Sequence, residues 1–375
     1  MGNHRLYPEA DALQPTLRSG FRARLTAGVR RREVINHMST MLRDYWYIAC
    51  AASRLGAAPL AIKVLDQELV VFKDASGGAH ALLDRCCHRG ARLSLGTVTD
   101  GALACGYHGW RYDGTGRCIH IPSLPSDRRI PAGVGVRAFP CAEQDSYLWV
   151  WMGETHSQPP PPPRIPQLQR YSWQQGSMTF MCEAMKVIEN NVDWCHPPFT
   201  HIGTHPFYFG VREHGFREYA YELRTTERGM VLFAPATTAE DEPLPEHAFA
   251  VVSFELPDRV RVEFPAPGPA RMIIFMHFVP TGLNTCRLEW LYTHASEGEA
   301  QVSWSDAEPE VFVQDRRILE SSQPWYDRAG GDFERSVEAD ASTLLARKIV
   351  ELASRGEWET KRSSLPQRRL VRVRA

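Results

Sequence analysis

The chain has 375 residues, of which 43% are hydrophobic and 23% are charged, and its formal net charge is −1. This balance is typical of a soluble globular protein of about two domains, and it excludes a general attraction to nucleic acid or to anionic membranes. The longest apolar run, Met272 to Val279, is interrupted by His277 and is too short to cross a bilayer, so it predicts a strand and no membrane span.

The first 43 residues differ in composition from the rest of the chain. They are rich in arginine and lack the apolar core of a secretory signal. We interpret residues 1–43 as a disordered extension. The alternative is that translation starts at Met38 or Met41 rather than at Met1.

Residues 44–158 predict a small all-β domain. Two apolar segments, Ala61–Leu65 and Leu69–Phe72, flank Asp66-Gln67 in the manner of a hairpin. Tyr147–Met152 is a further strong strand pattern.

Two short segments of this β domain each contain one cysteine and one histidine. Cys86 and His88 form C-x-H, and Cys105 and His108 form C-x2-H. Two thiolates and two imidazoles are the ligand set of a Rieske [2Fe–2S] cluster, and the flanking glycines are suited to tight loops around a metal centre. A structural zinc site is the alternative, although zinc motifs usually pair Cys with Cys and His with His.

The cysteine content predicts the cellular compartment. The chain has nine cysteines, too few and too scattered for a disulfide scaffold. A reducing, cytoplasmic location is therefore expected.

Five consecutive prolines, Pro159–Pro163, predict a stiff linker and a domain boundary. The following region, 164–355, predicts a helix over 183–196, several extended segments, and two closing helices over 306–321 and 333–353. This order predicts an α+β fold in which helices cover an antiparallel sheet. The basic end, 356–375, predicts a solvated tail, with a docking patch for an acidic redox partner as the alternative.

The segment ENNVDWCHPPFTH contains a second group of potential metal ligands. The spacing of Asp193 and His196 predicts that both lie on one face of a helix. The two prolines that follow His196 break that helix and allow His201 to return toward the same point. Two imidazoles and one carboxylate form the facial triad of a non-haem Fe(II) oxygenase, so a carboxylate from elsewhere is required.

We predict that Asp315, at the start of a predicted helix, is this third ligand. Asp306 and Asp327 are the competing candidates.

From about residue 44 to about residue 350 the chain resembles the terminal oxygenases of the Rieske non-haem iron family. In that family C-x-H-R-G and C-x2-H-G-W hold the cluster, which implies the roles of Cys86, His88, Cys105 and His108. The iron is held by the motif E-N-x-x-D-x2-H-x4-H and by a late aspartate that follows an acidic or amide residue. They match Glu189, Asn190, Asp193, His196 and His201, and then Gln314, Asp315 and Gln323.

The resemblance implies His196, His201 and Asp315 as iron ligands and Asp193 as the bridge to the cluster. It also implies that His108 of one subunit meets Asp193 of its neighbour in a homotrimer. The spacing between Asn190 and Asp193 is that of single-component members, which hydroxylate, demethylate or desaturate, and this argues against an arene dihydroxylase.

The function implied is monooxygenation of a hydrophobic, aromatic small molecule. Dioxygen is the oxidant, and electrons come from NAD(P)H through a reductase, with or without a ferredoxin. Desaturation or oxidative cyclisation at the same iron is the first alternative. A Rieske electron carrier without catalysis and a zinc-bound interaction module are the others.

Overall fold

A computed structural model describes residues 41–153, 158–169, 171–204, 218–234, 250–265, 271–294 and 309–374. Most of the predicted N-terminal extension lies outside the described residues, as does the competing ligand Asp306. None of the described helices is both long enough and apolar enough to cross a membrane.

The N-terminal part consists of three small antiparallel sheets, with the strand orders β1-β11-β10, β2-β3-β4-β9 and β5-β6-β7-β8. The strands are β1 Trp46–Ala51, β2 Leu60–Val64, β3 Gln67–Lys73, β4 Ala79–Leu83, β5 Thr97–Thr99, β6 Ala102–Ala104, β7 Arg111–Tyr112, β8 Cys118–His120, β9 Ala138–Phe139, β10 Cys141–Gln144 and β11 Tyr147–Trp151. The predicted first hairpin is present. Its turn lies one residue earlier than predicted, because Leu65 and Asp66 adopt the positive φ angles of 49° and 60° that a tight hairpin turn requires.

The C-terminal part is built on one antiparallel sheet in the order β12-β18-β17-β16-β15-β14-β13-β19. Its strands are β12 Ser172–Phe180, β13 Glu218–Thr225, β14 Gly229–Ala234, β15 Ala250–Glu255, β16 Arg259–Pro265, β17 Arg271–Gly282, β18 Thr285–His294 and β19 Arg368–Arg374. The helices are α1 Ala184–Val192, α2 Pro197–Thr200, α3 Glu310–Ala329, α4 Ala341–Ser354 and α5 Trp358–Lys361. The predicted α+β class, with a small β domain before a helix-covered antiparallel sheet, is confirmed.

Both faces of the central strand β17 are covered, which explains its nearly continuous apolar sequence. On β17, Ile274 and Met276 pack in the core that includes the helices, whereas Ile273 and Phe275 pack against the N-terminal part. His277 follows the second set. It is 2% exposed, and its Nδ1 lies 3.0 Å from Asp258 Oδ1. Its ring lies 5.2 Å from that of Trp149, so it faces the N-terminal part and not the helices.

Arg287 of β18 joins the two parts of the chain. Its guanidinium donates to the carbonyls of Lys63 (3.3 Å), Ile48 (2.6 Å) and Ala49 (2.9 Å) of the N-terminal part. It also donates to the buried carboxylate of Glu289 at 2.7 Å. The junction is therefore held by a charged group with several partners in addition to a shared apolar core.

The basic C-terminal end is a strand, so the prediction of a solvated tail over 356–375 is wrong. β19 pairs antiparallel with β13, and Val371 and Val373 are buried while the alternating arginines point outward. Alternate residues are buried, as in a strand with one covered face. The high charge of the segment concealed this pattern in the sequence. The five prolines lie in a segment without regular secondary structure, and the domain boundary placed there stays a prediction.

Candidate metal centres

The two Cys/His segments form loops with the same backbone pattern. In each loop a glycine amide donates to the cysteine carbonyl, Gly90 to Cys86 at 3.0 Å and Gly109 to Cys105 at 2.9 Å. The two glycines have φ angles of 73° and 68°, a left-handed conformation that glycine adopts without strain. The glycines beside the motif therefore allow both loops to close tightly.

The four predicted ligands come together at these loops. The imidazole centroids of His88 and His108 are 4.6 Å apart. Cys86 and Cys105 are each 3% exposed, and their thiols are within hydrogen-bonding reach of each other. The ring of His88 stacks on Trp110 at 4.5 Å, which fixes its orientation.

The chemistry of these groups fits a [2Fe–2S] cluster. Nδ1 of His88 is buried and has no hydrogen-bond partner among the described residues, as expected for a nitrogen reserved for a metal. Burial raises the pKa of the Cys105 thiol, as does the neighbouring Cys86 thiol, while the backbone N–H groups of Tyr107 and His108 lower it. These amides are placed to stabilise a thiolate ligand.

Tyr112 also belongs to this centre, although the sequence analysis did not single it out. Its hydroxyl lies 3.0 Å from Cys86 Sγ and 3.3 Å from Cys87 Sγ. Burial and these two sulphurs raise the pKa of Tyr112, so the phenol keeps its proton and can donate to a cluster sulphur. Its place two residues after Trp110 was the only available signal.

The second loop forms an exposed tip. His108 is exposed, and its neighbours Tyr107 and Leu95 are 66% and 78% exposed. His108 forms no ion pair with Asp193 of its own chain, as judged from the described residues. A contact between this imidazole and an iron site would therefore require either a different conformation of the chain or a second chain.

The three predicted iron ligands converge. One ligand atom from each of His196, His201 and Asp315 lies within 4.8 Å of the others. Oδ1 of Asp315 is 3.5 Å from His196 Nε2 and 3.2 Å from His201 Nε2. Two ligands at right angles and about 2.1 Å from an octahedral ion are about 3 Å apart, so the group fits a divalent metal.

A helix break brings these residues together. His196 and His201 flank the single turn α2, and His201 N donates to Pro197 O at 2.9 Å. Asp315 extends from the first part of α3, where it is 5% exposed. The predicted effect of the two prolines is thus present in the structure.

Asp193 is not on the same helical face as His196, so that prediction is wrong. Helix α1 ends at Val192, and Asp193 is its C-cap with an extended ψ of 122°. The turn still brings the groups together, with Asp193 Oδ2 at 3.6 Å and the Asp193 carbonyl at 3.1 Å from His196 Nδ1. Asp193 Oδ1 accepts from Cys195 N at 2.7 Å.

Amide side chains surround the three ligands. Oε1 of Gln314 is 2.9 Å from His201 Nδ1 and accepts from Thr204 Oγ1 at 2.9 Å. Nδ2 of Asn190 donates to Asp315 Oδ1 at 3.2 Å. The Gln314 carbonyl oxygen favours the tautomer in which His201 Nδ1 carries the proton and Nε2 faces the metal position.

The electrostatics of this group favour a cation. Burial opposes the charged form of His196, but the carboxylates of Asp193 and Asp315 raise the pKa of His196 to about 9. Burial likewise opposes ionisation of Asp315, but His196 and His201 lower the pKa of Asp315. A divalent ion bound here would replace the proton that the two carboxylates stabilise on His196.

Two residues of the family motif have other contacts. Glu189 forms a bidentate ion pair with Arg347 of α4, which also binds Glu334. Gln323 accepts from Glu183 N at 3.1 Å and donates to Asp327 Oδ1 at 2.8 Å. Asp327 is therefore engaged outside the ligand group.

Two sequence profiles match the chain. The profile of the Rieske [2Fe-2S] domain matches residues 45–140, and that of the vanillate O-demethylase oxygenase C-terminal domain matches residues 180–355. All eight residues predicted to bind or bridge the metals lie within these ranges.

Known proteins resemble the chain over different lengths. Chlorophyllide a oxygenase of Chlamydomonas reinhardtii is 37% identical over 174 residues, which are 44% of this chain and 25% of that protein. The chain thus spans only about a quarter of that relative. The oxygenase subunit of 3-chlorobenzoate-3,4-dioxygenase from Comamonas testosteroni is 25% identical over 310 residues, which are 78% of this chain and 68% of that subunit.

A solved structure has the same fold. Dicamba monooxygenase bound to dicamba superposes with a TM-score of 0.68 at 20% identity, covering 85% of this chain and 99% of that one.

Proposed function

Because the chain belongs to the Rieske non-haem iron oxygenases, we propose that it is a terminal oxygenase that monooxygenates a hydrophobic small molecule by hydroxylation or demethylation. Dioxygen is the oxidant, and the electrons come ultimately from NAD(P)H. The observation that carries this proposal is the convergence of His196, His201 and Asp315 within 4.8 Å. An electron carrier would have no use for this second centre.

The proposed roles follow from the contacts. Cys86, His88, Cys105 and His108 hold the [2Fe–2S] cluster, and His196, His201 and Asp315 hold a ferrous ion. That ion would supply dioxygen activation, because two imidazoles and one carboxylate leave coordination positions open. Gln314 and Asp193 orient the two histidines, and Asn190 orients the carboxylate.

Demethylation or hydroxylation of an aromatic compound is the outcome that the relatives favour. The C-terminal profile is that of an O-demethylase, and the structural relative holds dicamba, an aromatic molecule. The core between the sheet and the helices is rich in large apolar side chains, and a pocket formed there would favour such a substrate. The buried side chains include Met276, Phe278, Trp290, Tyr292 and Phe312.

We also propose that the active form is a homotrimer in which His108 of one subunit meets Asp193 of the next. The cluster tip exposes Leu95 and Tyr107. In and between the helices α2, α3 and α4, several large apolar side chains are exposed: Phe199 at 62%, Ile202 at 58%, Ile318 at 54%, Trp325 at 59% and Val337 at 68%. Exposed apolar surfaces of this kind mark interaction sites, and head-to-tail contacts between two different surfaces close into a ring.

The electron supply and the location follow from the same proposal. A ferredoxin, a ferredoxin reductase or both would reduce the cluster. The nine cysteines form no disulfide. Free thiols beside an iron–sulphur cluster favour the reducing cytoplasm.

Iron analysis of anaerobically reconstituted protein tests the proposal. We expect about three irons per chain in the wild type and about two in Asp315→Ala, with unchanged cluster absorbance. Oxygen uptake is then followed against O- and N-methylated aromatic compounds, and product masses identify the reaction. A wild type that holds a full cluster but only about two irons per chain would refute the catalytic assignment.

The bridge is tested separately with Asp193→Ala. This variant should keep both metals but lose reoxidation of the cluster in single-turnover experiments, while the matched Asp327→Ala variant should behave as the wild type. Unchanged turnover in Asp193→Ala would exclude the bridge.

A further inference from the structure

Helix α1 carries a buried lysine that the proposed chemistry does not use. Lys186 is 7% exposed, and its Nζ is buried without a hydrogen-bond partner among the described residues. A lysine ammonium has three donors, and leaving buried donors unsatisfied costs free energy. Lysine is almost never buried unless it is paired, so an unpaired lysine in this position is unusual.

Lys186 lines a cavity of about 350 Å³ between α1, α3 and α4. Tyr326 lines the same cavity, and Nζ of Lys186 lies 3.1 Å from the centre of its ring, so the amine is at the cavity wall. Asn190 also lines the cavity, and its side chain donates to Asp315 Oδ1 at 3.2 Å. A small molecule in the cavity is therefore one side chain away from the proposed iron ligands.

The surroundings of Lys186 favour its neutral form. Burial outweighs the attraction of the nearby carboxylates and lowers the pKa of Lys186 to about 8. Since an ordinary lysine has a pKa of about 10.4, the neutral fraction near pH 7.5 is roughly 100-fold larger for Lys186. Glu189 and Glu334 do not pair with it, because both bind Arg347. The titratable groups that face Lys186 are Cys182, Glu183, Glu189, Tyr326, Asp327 and Glu334.

We propose that Lys186 is a covalent capture site for small aldehydes, the class of product that demethylation of a methoxy or methylamino group releases. The neutral amine attacks the carbonyl carbon and gives a carbinolamine. Uptake of one proton and loss of one water molecule then give an iminium ion, and no oxidant or reductant is consumed. The inference rests on the proposed function only for the source of the aldehyde.

The environment of Lys186 stabilises the iminium relative to the ammonium. The iminium nitrogen carries one N–H donor instead of three, so fewer donors stay unsatisfied in this buried position. Its positive charge remains over the Tyr326 ring. The Tyr326 hydroxyl donates to Glu334, and both side chains line the cavity, so groups that can transfer a proton are present beside the amine.

The experiment traps the adduct in the wild-type reconstituted protein. Formaldehyde is added, sodium cyanoborohydride reduces the iminium to N-methyllysine, and peptide mass spectrometry gives the rate at each lysine. The side chains of Lys348 and Lys361 are 44% and 54% exposed and serve as the comparison. We expect Lys186 to react about tenfold faster than either, because its larger neutral fraction outweighs slower entry into the cavity. A buried lysine with only a structural role would be the slowest of the three.

Three controls make the result specific. In urea, where burial is lost, Lys186 should react at the same rate as Lys348 and Lys361. In the native protein the rate at Lys186 should level off above about pH 8, whereas the rate at Lys348 should continue to rise toward about pH 10. Lys186→Arg keeps a cation over the Tyr326 ring and should lose the fast phase of formaldehyde incorporation, with the rates at the other lysines unchanged.

Two results would overturn the proposal. One is a native rate at Lys186 equal to or below that at Lys348. The other is an excess rate at Lys186 that persists in urea, because it would then belong to the local sequence and not to the cavity. Neither measurement depends on oxygenation or on iron content, so failure of the capture site leaves the test of the iron site unaffected.

Discussion

The contact between His201 and Gln314 gives a quantitative prediction for the iron site. Replacement of Gln314 by leucine removes the oxygen that lies 2.9 Å from His201 Nδ1 and also accepts from Thr204. The ligand geometry of Asp315 stays in place, because its own bonds to Asn190 and the histidines do not involve Gln314. The change therefore isolates the orientation of one imidazole.

The size of the effect follows from burial. The side chain of His201 is 5% exposed, and loss of a hydrogen-bond partner for a buried polar group costs about 1–3 kcal/mol. One factor of ten in affinity corresponds to about 1.4 kcal/mol, so we expect Fe(II) or Co(II) to bind about 10- to 100-fold more weakly. Gln314→Glu should bind the metal at least as tightly as the wild type, since a carboxylate is the stronger acceptor.

Anaerobic Co(II) titration, followed by the visible absorbance of the bound ion, is the assay. Gln323→Leu is the matched control, because it makes the same change in the same helix at a site that contacts Glu183 and Asp327 instead of a ligand. Equal affinity of Gln314→Leu and the wild type would refute the argument. Equal weakening in both leucine variants would also refute it, because the cause would then be a general loss of structure.

Three further predictions concern the iron site, the cluster and the junction between the two parts of the chain. The carboxylates raise the pKa of His196 to about 9, so below that pH a metal ion must displace the proton of His196. The affinity for Co(II), measured between about pH 7 and pH 9, should therefore rise nearly tenfold per pH unit. Tyr112→Phe removes the hydroxyl 3.0 Å from Cys86 Sγ and should lower the cluster potential by about 40 mV in voltammetry, equivalent to roughly 1 kcal/mol, whereas an unchanged potential would contradict the contact. Arg287→Ala leaves the buried Glu289 without its cation and should cost about 3 kcal/mol in urea unfolding, and Arg287→Lys should recover little of this loss because lysine cannot reach several carbonyls at once.

The parts of the site that could be predicted from sequence are those with short spacing. Cys86 and His88 lie in one tight loop, as do Cys105 and His108, so the spacing alone restricts how each pair can be arranged. The break at Pro197 is likewise a local property of the chain. Asp315 comes from a helix far along the sequence, so spacing left Asp306 and Asp327 as alternatives, and the resemblance to a family supported Asp315 over them.

Other features depended on tertiary structure. The C-cap at Asp193 ends α1 one turn before His196, and helical periodicity gave no sign of this. The strand β19 pairs with β13, which is distant in sequence, and Val371 and Val373 are buried in that position. Gln314 was noted as part of a motif, but its contact with His201 depends on the packing of α3 against the turn after α2.

The junction between the two parts of the chain bears on how the two metal centres could communicate. Arg287 and a shared apolar core join the cluster-bearing part to the large sheet, and Tyr147 OH donates to Trp290 O across the same seam at 3.1 Å. His108 lies at an exposed tip and Asp193 lies beside α2 among exposed apolar side chains, with no described contact between them in one chain. A swing of the cluster domain toward its own iron would have to break the buried contacts of Arg287. Association of two chains would instead cover both exposed surfaces at once, so we expect cluster reoxidation in dilute protein to lose rate in proportion to the loss of the oligomer.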